Sequence, residues 1–226
     1  SNDSARYQIT NTLGSFFLHK NIDSAFKYME HASDISARNK KYLAEAASLV
    51  KLQNLYRTYG DLGKSYKTLM RALEIAEDPA SENTHFIPPH EGDSRKQRLE
   101  ILTILYGGGY GDLLLYTNSN RESIQQYKKG IHIINEINYF AVLPQFYLHM
   151  SWAYREMNMA DSALYYVLLA ERTSKEKNID YHIEFILNEK GSAYLMKEMI
   201  KPALESYYEG KRAAEKETNH DGMSTA

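Results

Sequence analysis

Small residues recur along this chain at a fixed interval, and an interval of this length constrains the fold more strongly than local propensity does. Ala32, Ala72, Gly130, Ala170 and Gly210 stand 40, 58, 40 and 40 residues apart. Seven positions before each lies a second small residue, at Ala25, Ser65, Ser123, Ala163 and Ala203. Further upstream is an anchor position, Gly14, Gln53, Gly111, Ser151 and Gly191, followed three residues later by Phe17, Tyr56, Leu114, Tyr154 and Tyr194. Each copy therefore reads as two amphipathic helices that cross closely at the small residues, with the large rings filling the space beside the crossing. The stretch Leu52 to Ala76, with its break at Tyr59-Gly60-Asp61, is the clearest copy.

This order of small, aromatic, small and small positions resembles the tetratricopeptide repeat (TPR), and the resemblance covers nearly the whole chain. The family period is about 34 residues, so the chain looks like a long-period bacterial variant with units of 40 residues. Gln53 departs from the family's small anchor and predicts looser packing there. The resemblance implies an all-α fold, a right-handed α-α superhelix of five helix pairs. On this reading residues 1–226 are a single TPR-like solenoid, with units at about 6–38, 40–77, 94–137, 139–177 and 180–217 and an insertion at 78–93.

The insertion accounts for the 58-residue interval and carries three of the five prolines. It holds His85, His90, Glu91 and Asp93, but their spacing matches no metal-ligand pattern, and the expectation is a surface loop without metal. Gly107-Gly108-Gly109-Tyr110-Gly111 does not make a phosphate cradle: no strand precedes it and Asp112 stands where the last glycine would fall. The flanks read as one helix, so close packing or a local kink is expected.

Nothing in the chain assembles a catalytic constellation. There is no cysteine. The eight histidines do not pair with carboxylates at triad or metal-ligand spacing, and no catalytic residue, cofactor or metal is expected. A net charge of −2 argues against a nucleic-acid surface, and no apolar run reaches the roughly 20 residues of a membrane span. The class that remains is a non-enzymatic protein- or peptide-binding module; an enzyme built on the solenoid is the minor alternative.

Helical spacing places one face of each first helix away from its packed side. In the family this face lines the concave groove, which by resemblance gives Gln8, Asn11 and Ser15 in the first unit and Lys51, Asn54 and Arg57 in the second. The third supplies Asp112, Leu115 and Tyr116, the fourth Gln145, His149, Trp152 and Arg155, and the fifth Phe185, Asn188 and Glu189. Trp152, the single tryptophan, flanked by His149 and Arg155, has the composition of a recognition hot spot. The lysine, asparagine and arginine clamp of the chaperone-binding members is represented by Lys51 alone, which argues against a chaperone-tail receptor.

Repeat regions of this type also look like the extracytoplasmic sensory parts of membrane-anchored bacterial signalling or transcription regulators, favoured here over a cytoplasmic scaffold or adaptor. The next anchor is due near residue 231, past Ala226. The second helix of the fifth unit is expected to end around Glu217, leaving an apolar end to be covered by a continuation of the array or by self-association.

Overall fold

A computed structural model of the chain describes residues 2–86, 93–179 and 183–223, with side chains to residue 216. Among the described residues there are ten helices and no strand. They are α1 (Asn2–Phe17), α2 (Ile22–Arg38), α3 (Tyr42–Thr58), α4 (Leu62–Glu77), α5 (Ser94–Tyr116), α6 (Asn120–Ile137), α7 (Leu143–Glu156), α8 (Ala160–Lys177), α9 (Ile183–Met196) and α10 (Ile200–Met223). The last helix runs to Met223 rather than stopping around Glu217, because the polar tail carries no Gly or Pro stop before Gly222.

The turns explain where these helices end. Gly60, Asn118, Asn158 and Glu198 take left-handed backbone between the two helices of a pair, and Lys40, Asn138 and Asn178 do so between pairs. Each sits just past a helix, and Lys40, Gly60, Asn118, Asn158, Asn178 and Glu198 close it with paired backbone bonds, as where Asn158 N–H donates to Arg155 O and Met159 N–H to Tyr154 O, both at 2.9 Å. This satisfies carbonyls that the helix would otherwise leave open. From Asn118 to Glu198 one such residue falls every 20 positions. At the next helix start, Asp61 accepts from the Lys64 N–H and Asn21 from the Ser24 N–H, as good N-caps do.

The chain divides into two compact units, residues 1–113 with 128–137, and residues 114–127 with 138–226. In the first, a continuous core runs through Met29, Leu43, Leu52, Leu69, Leu102 and Leu105. The small residues act as the repeat predicts. A Cβ on Gly14 would come within 2.8 Å of Met29 Cγ, and one on Gly109 within 2.7 Å of Leu69 Cδ1. In the second unit Leu148, Ala163, Val167, Ala170, Ile186 and Ala193 form the core, and Gly191 lies flat against the Tyr207 ring.

Two local expectations are corrected. Gln53 is not loosely packed: it is 1% exposed, and the bare backbone of Gly109 leaves room for its amide. The glycine run does more than pack closely, since Leu105–Gly111 winds as a π-helix inside α5. Glycines, lacking a Cβ, pack tightly and tolerate the wider turn. The insertion begins with a single 3-10 turn, Pro79–Ser81, and its described part is tied down: Thr84 Oγ1 accepts from the Leu43 N–H at 3.0 Å and Phe86 stacks on Tyr7. His85 Nε2 lies 3.2 Å from Ser94 Oγ; His90 and Glu91 lie outside the described residues.

Candidate binding surface

In the first unit the predicted face forms two polar clusters. Lys51 Nζ donates to Asn11 Oδ1 at 3.0 Å and to Ser15 Oγ at 3.1 Å, joining α3 to α1. Its partners are neutral, and burial pulls its ammonium below the ordinary lysine pKa. One turn along α3, Arg57 Nη2 donates to Asn54 Oδ1 at 2.7 Å and meets Asp112 Oδ2 at 3.4 Å. Asp112 is buried, so it anchors Arg57 from beneath more than it offers itself to a ligand.

In the second unit α7 and α9 enclose a pocket of about 170 Å³ lined by Ala141, Pro144, Gln145, Leu148, His149, Trp152, Ile179, Phe185 and Ile186. The periodicity of α7 builds one wall: Gln145, Leu148, His149 and Trp152 lie within two turns on one side of the helix. Trp152 is half-buried and stacks on the His149 ring, centroids 4.7 Å apart. His149 is buried, and its Nδ1 lies 3.2 Å from the hydroxyl of the fully buried Tyr127. The chain of contacts from Tyr127 through His149 fixes the indole at the pocket wall.

Beyond Trp152, Arg155 Nε donates to both carboxylate oxygens of Glu189, at 3.3 and 3.1 Å. Glu189 is buried, and burial pushes its carboxyl above the usual range even with Arg155 alongside. Ser151 Oγ sits 2.9 Å from the Ala163 carbonyl and 2.9 Å from Glu189 Oε1. The Ser151 hydroxyl and the Arg155 guanidinium oppose the upward shift that burial imposes on Glu189.

Of the groove residues named in the sequence, Asn11, Ser15 and Lys51 meet in one cluster, and Asn54, Arg57 and Asp112 in another. Gln145, His149 and Trp152 share the pocket, with Arg155 on the adjoining helix turn. Tyr116 is exposed and joins none of these groups, and the Asn188 side chain lies against Gly210 instead. Leu148 lies on the predicted face without being among the residues named from it, whereas Ile186 lies off that face and belongs to the core of the unit. Ala141 and Ile179 come from helix connections, which helical periodicity does not reach.

No family model matches the sequence, and no curated protein sequence matches it. Solved structures do. The apo form of RapI superposes with a TM-score of 0.70 at 16% identity, over 97% of this chain and 74% of that one. A putative kinesin light chain with nearly identical TPR-like repeats from Podosopora anserina gives 0.63 at 13% identity, over 97% and 99%. MamA from Desulfovibrio magneticus RS-1 gives 0.58 at 13% identity, over 93% and 96%. The chain has a TPR-like fold. The TPR-like helix pairs account for the closely packed small residues. No helix among the described residues is long and apolar enough to cross a membrane, and no cluster of three or more metal-ligating side chains occurs among them.

Proposed function

We propose that the chain is a non-enzymatic protein- or peptide-binding module whose pocket between α7 and α9 takes one aromatic or branched apolar side chain of its partner. The supporting observation is the Trp152 pocket. An apolar cavity of about 150 Å³ accommodates benzene, and the 170 Å³ here has room for one ring or branched chain. Gln145 on its lining supplies a hydrogen-bonding group for the partner's backbone. On this reading the module is the interaction or sensory region of a larger signalling or transcription regulator.

Selection of peptides from a random display library on the immobilised chain tests this. The enriched sequences should share a large apolar residue, and Trp152→Ala should abolish the enrichment while Tyr116→Ala leaves it intact. Enrichment unchanged in Trp152→Ala, or enriched peptides without an apolar anchor, would overturn the proposal.

A further inference from the structure

In the polar clusters of the first unit each side-chain amide or hydroxyl oxygen already accepts a hydrogen bond. Lys51 on α3 gives two of its three N–H groups to Asn11 Oδ1 and Ser15 Oγ on α1. The Ser15 hydroxyl in turn donates to the Asn11 carbonyl at 3.2 Å. One turn from Lys51 on the same face of α3 stands Asn54, and Arg57 holds its Oδ1 at 2.7 Å. Ammonium and guanidinium groups carry donors only, so they fix both amides with the oxygen turned to the cation and the NH2 left over. What remains is a set of donors: the Asn11 amide, the Asn54 amide and the third N–H of Lys51, none with a partner among the described residues.

The charges do not cancel either. Arg57 has Asp112 at 3.4 Å, whereas Lys51 meets no carboxylate among the described residues, and burial alone accounts for the fall in its pKa. A half-buried ammonium is thus held by neutral oxygens only. Taking a cation out of water without a counter-charge costs free energy, which a bound anion would recover. One uncompensated positive charge matches one carboxylate, while a phosphate monoester brings about 1.5 to 2 negative charges at neutral pH. A chain terminus brings its own backbone N–H next to the carboxylate, and the cluster has no free oxygen to receive it. An aspartate or glutamate side chain holds its carboxylate clear of the backbone and needs donors only.

We propose that Lys51, Asn11 and Asn54 form a subsite for the carboxylate of an aspartate or glutamate side chain on a polypeptide partner. Lys51 supplies the charge and one N–H, and the two amides supply the donors beside it. The subsite rests on the reading of the chain as a protein- or peptide-binding module, but it takes nothing from the Trp152 pocket, whose residues belong to the other compact unit.

Pools of N-acetylated, C-amidated hexapeptides, each with one fixed residue and uncharged residues elsewhere, test this on the immobilised whole chain. Pools fixed as Glu or Asp should be retained about tenfold better than pools fixed as Gln or Asn, as one charge-assisted hydrogen bond provides. The acidic preference should persist in Trp152→Ala, which removes only the apolar preference, and should vanish in Lys51→Gln. Asn11→Asp is the second variant: it gives Lys51 a counter-ion from within the chain, so it should melt no lower than wild type and still lose the acidic preference. Absence of that preference in the wild-type chain would overturn the proposal, as would its survival in Lys51→Gln or Asn11→Asp or its loss in Trp152→Ala. Two further pools separate the sources of negative charge. Stronger Lys51-dependent retention of phosphoserine pools, or of Gln pools with a free C-terminus, would assign the site to a phosphate or to a chain end and overturn the side-chain carboxylate.

Discussion

The indole of Trp152 lies nearly parallel to the His149 imidazole, 18° between the planes. Trp152 is therefore part of the packing as well as of the pocket wall. A fully buried tryptophan cut to alanine costs about 3–5 kcal/mol; half-buried Trp152 should lose about 2 kcal/mol on the same scale, measured by urea unfolding. Trp152→Phe should recover most of it. A loss as large as that of a core residue would show that the indole serves folding alone.

Two glycines should respond in opposite directions to alanine. At Gly191 a Cβ would come within 2.7 Å of the Tyr207 ring, and a rigid ring in a packed joint should make Gly191→Ala destabilising by about 1–3 kcal/mol. At Gly108 a Cβ would meet nothing within 4 Å, so Gly108→Ala should stabilise by up to about 1 kcal/mol through helix propensity. Thermal melts of the two variants check this; equal effects would mean that the glycines serve only backbone freedom.

Glu198 takes left-handed backbone with φ 58° where the corresponding turns of the third and fourth pairs have Asn118 and Asn158. That conformation costs a residue with a Cβ about 1–2 kcal/mol, and asparagine tolerates it better. Glu198→Asn or Glu198→Gly should raise the melting temperature by a few degrees, about 0.5–1 kcal/mol. No change in either variant would place the strain elsewhere.

Glu189 and Glu171 should bend the pH–stability curve in opposite senses. Burial raises the Glu189 carboxyl despite Arg155 and Ser151, with Glu156 adding to the rise. Its contribution is present below the unfolded carboxylate pKa and lost as pH rises through the folded value. For Glu171, burial also raises the carboxyl, but Lys175 and Lys190 outweigh it and the net shift is downward. That contribution is present above the unfolded pKa and lost as pH falls through the folded one. Between about pH 4 and pH 7, Glu189→Gln should gain stability relative to wild type and Glu171→Gln should lose it. Parallel curves for the two variants would refute this assignment.

The helix pairs were legible in the sequence because a closely packed crossing admits only small residues, and five copies leave that mark at the same spacing. Pairings such as Arg57 with Asp112 were not, since they join different helix pairs and depend on their relative placement. Nor was the π-helical turn. A glycine run signals freedom of the backbone but not the form that the backbone takes. The pocket was half legible: the side chains of α7 followed helical geometry, whereas Ala141 and Ile179 entered from connections with no periodicity.

The left-handed residues from Asn118 to Glu198, one every 20 positions, also act as a ruler for the gene. An insertion or deletion within a helix there would displace every later side chain by 100° per residue and put the next left-handed turn on the wrong amino acid. Changes in length are tolerable only where no mark has to be kept. The interval between Gly60 and Asn118 is the stretch where the ruler lapses, and it is there that the chain has taken on its 18 additional residues.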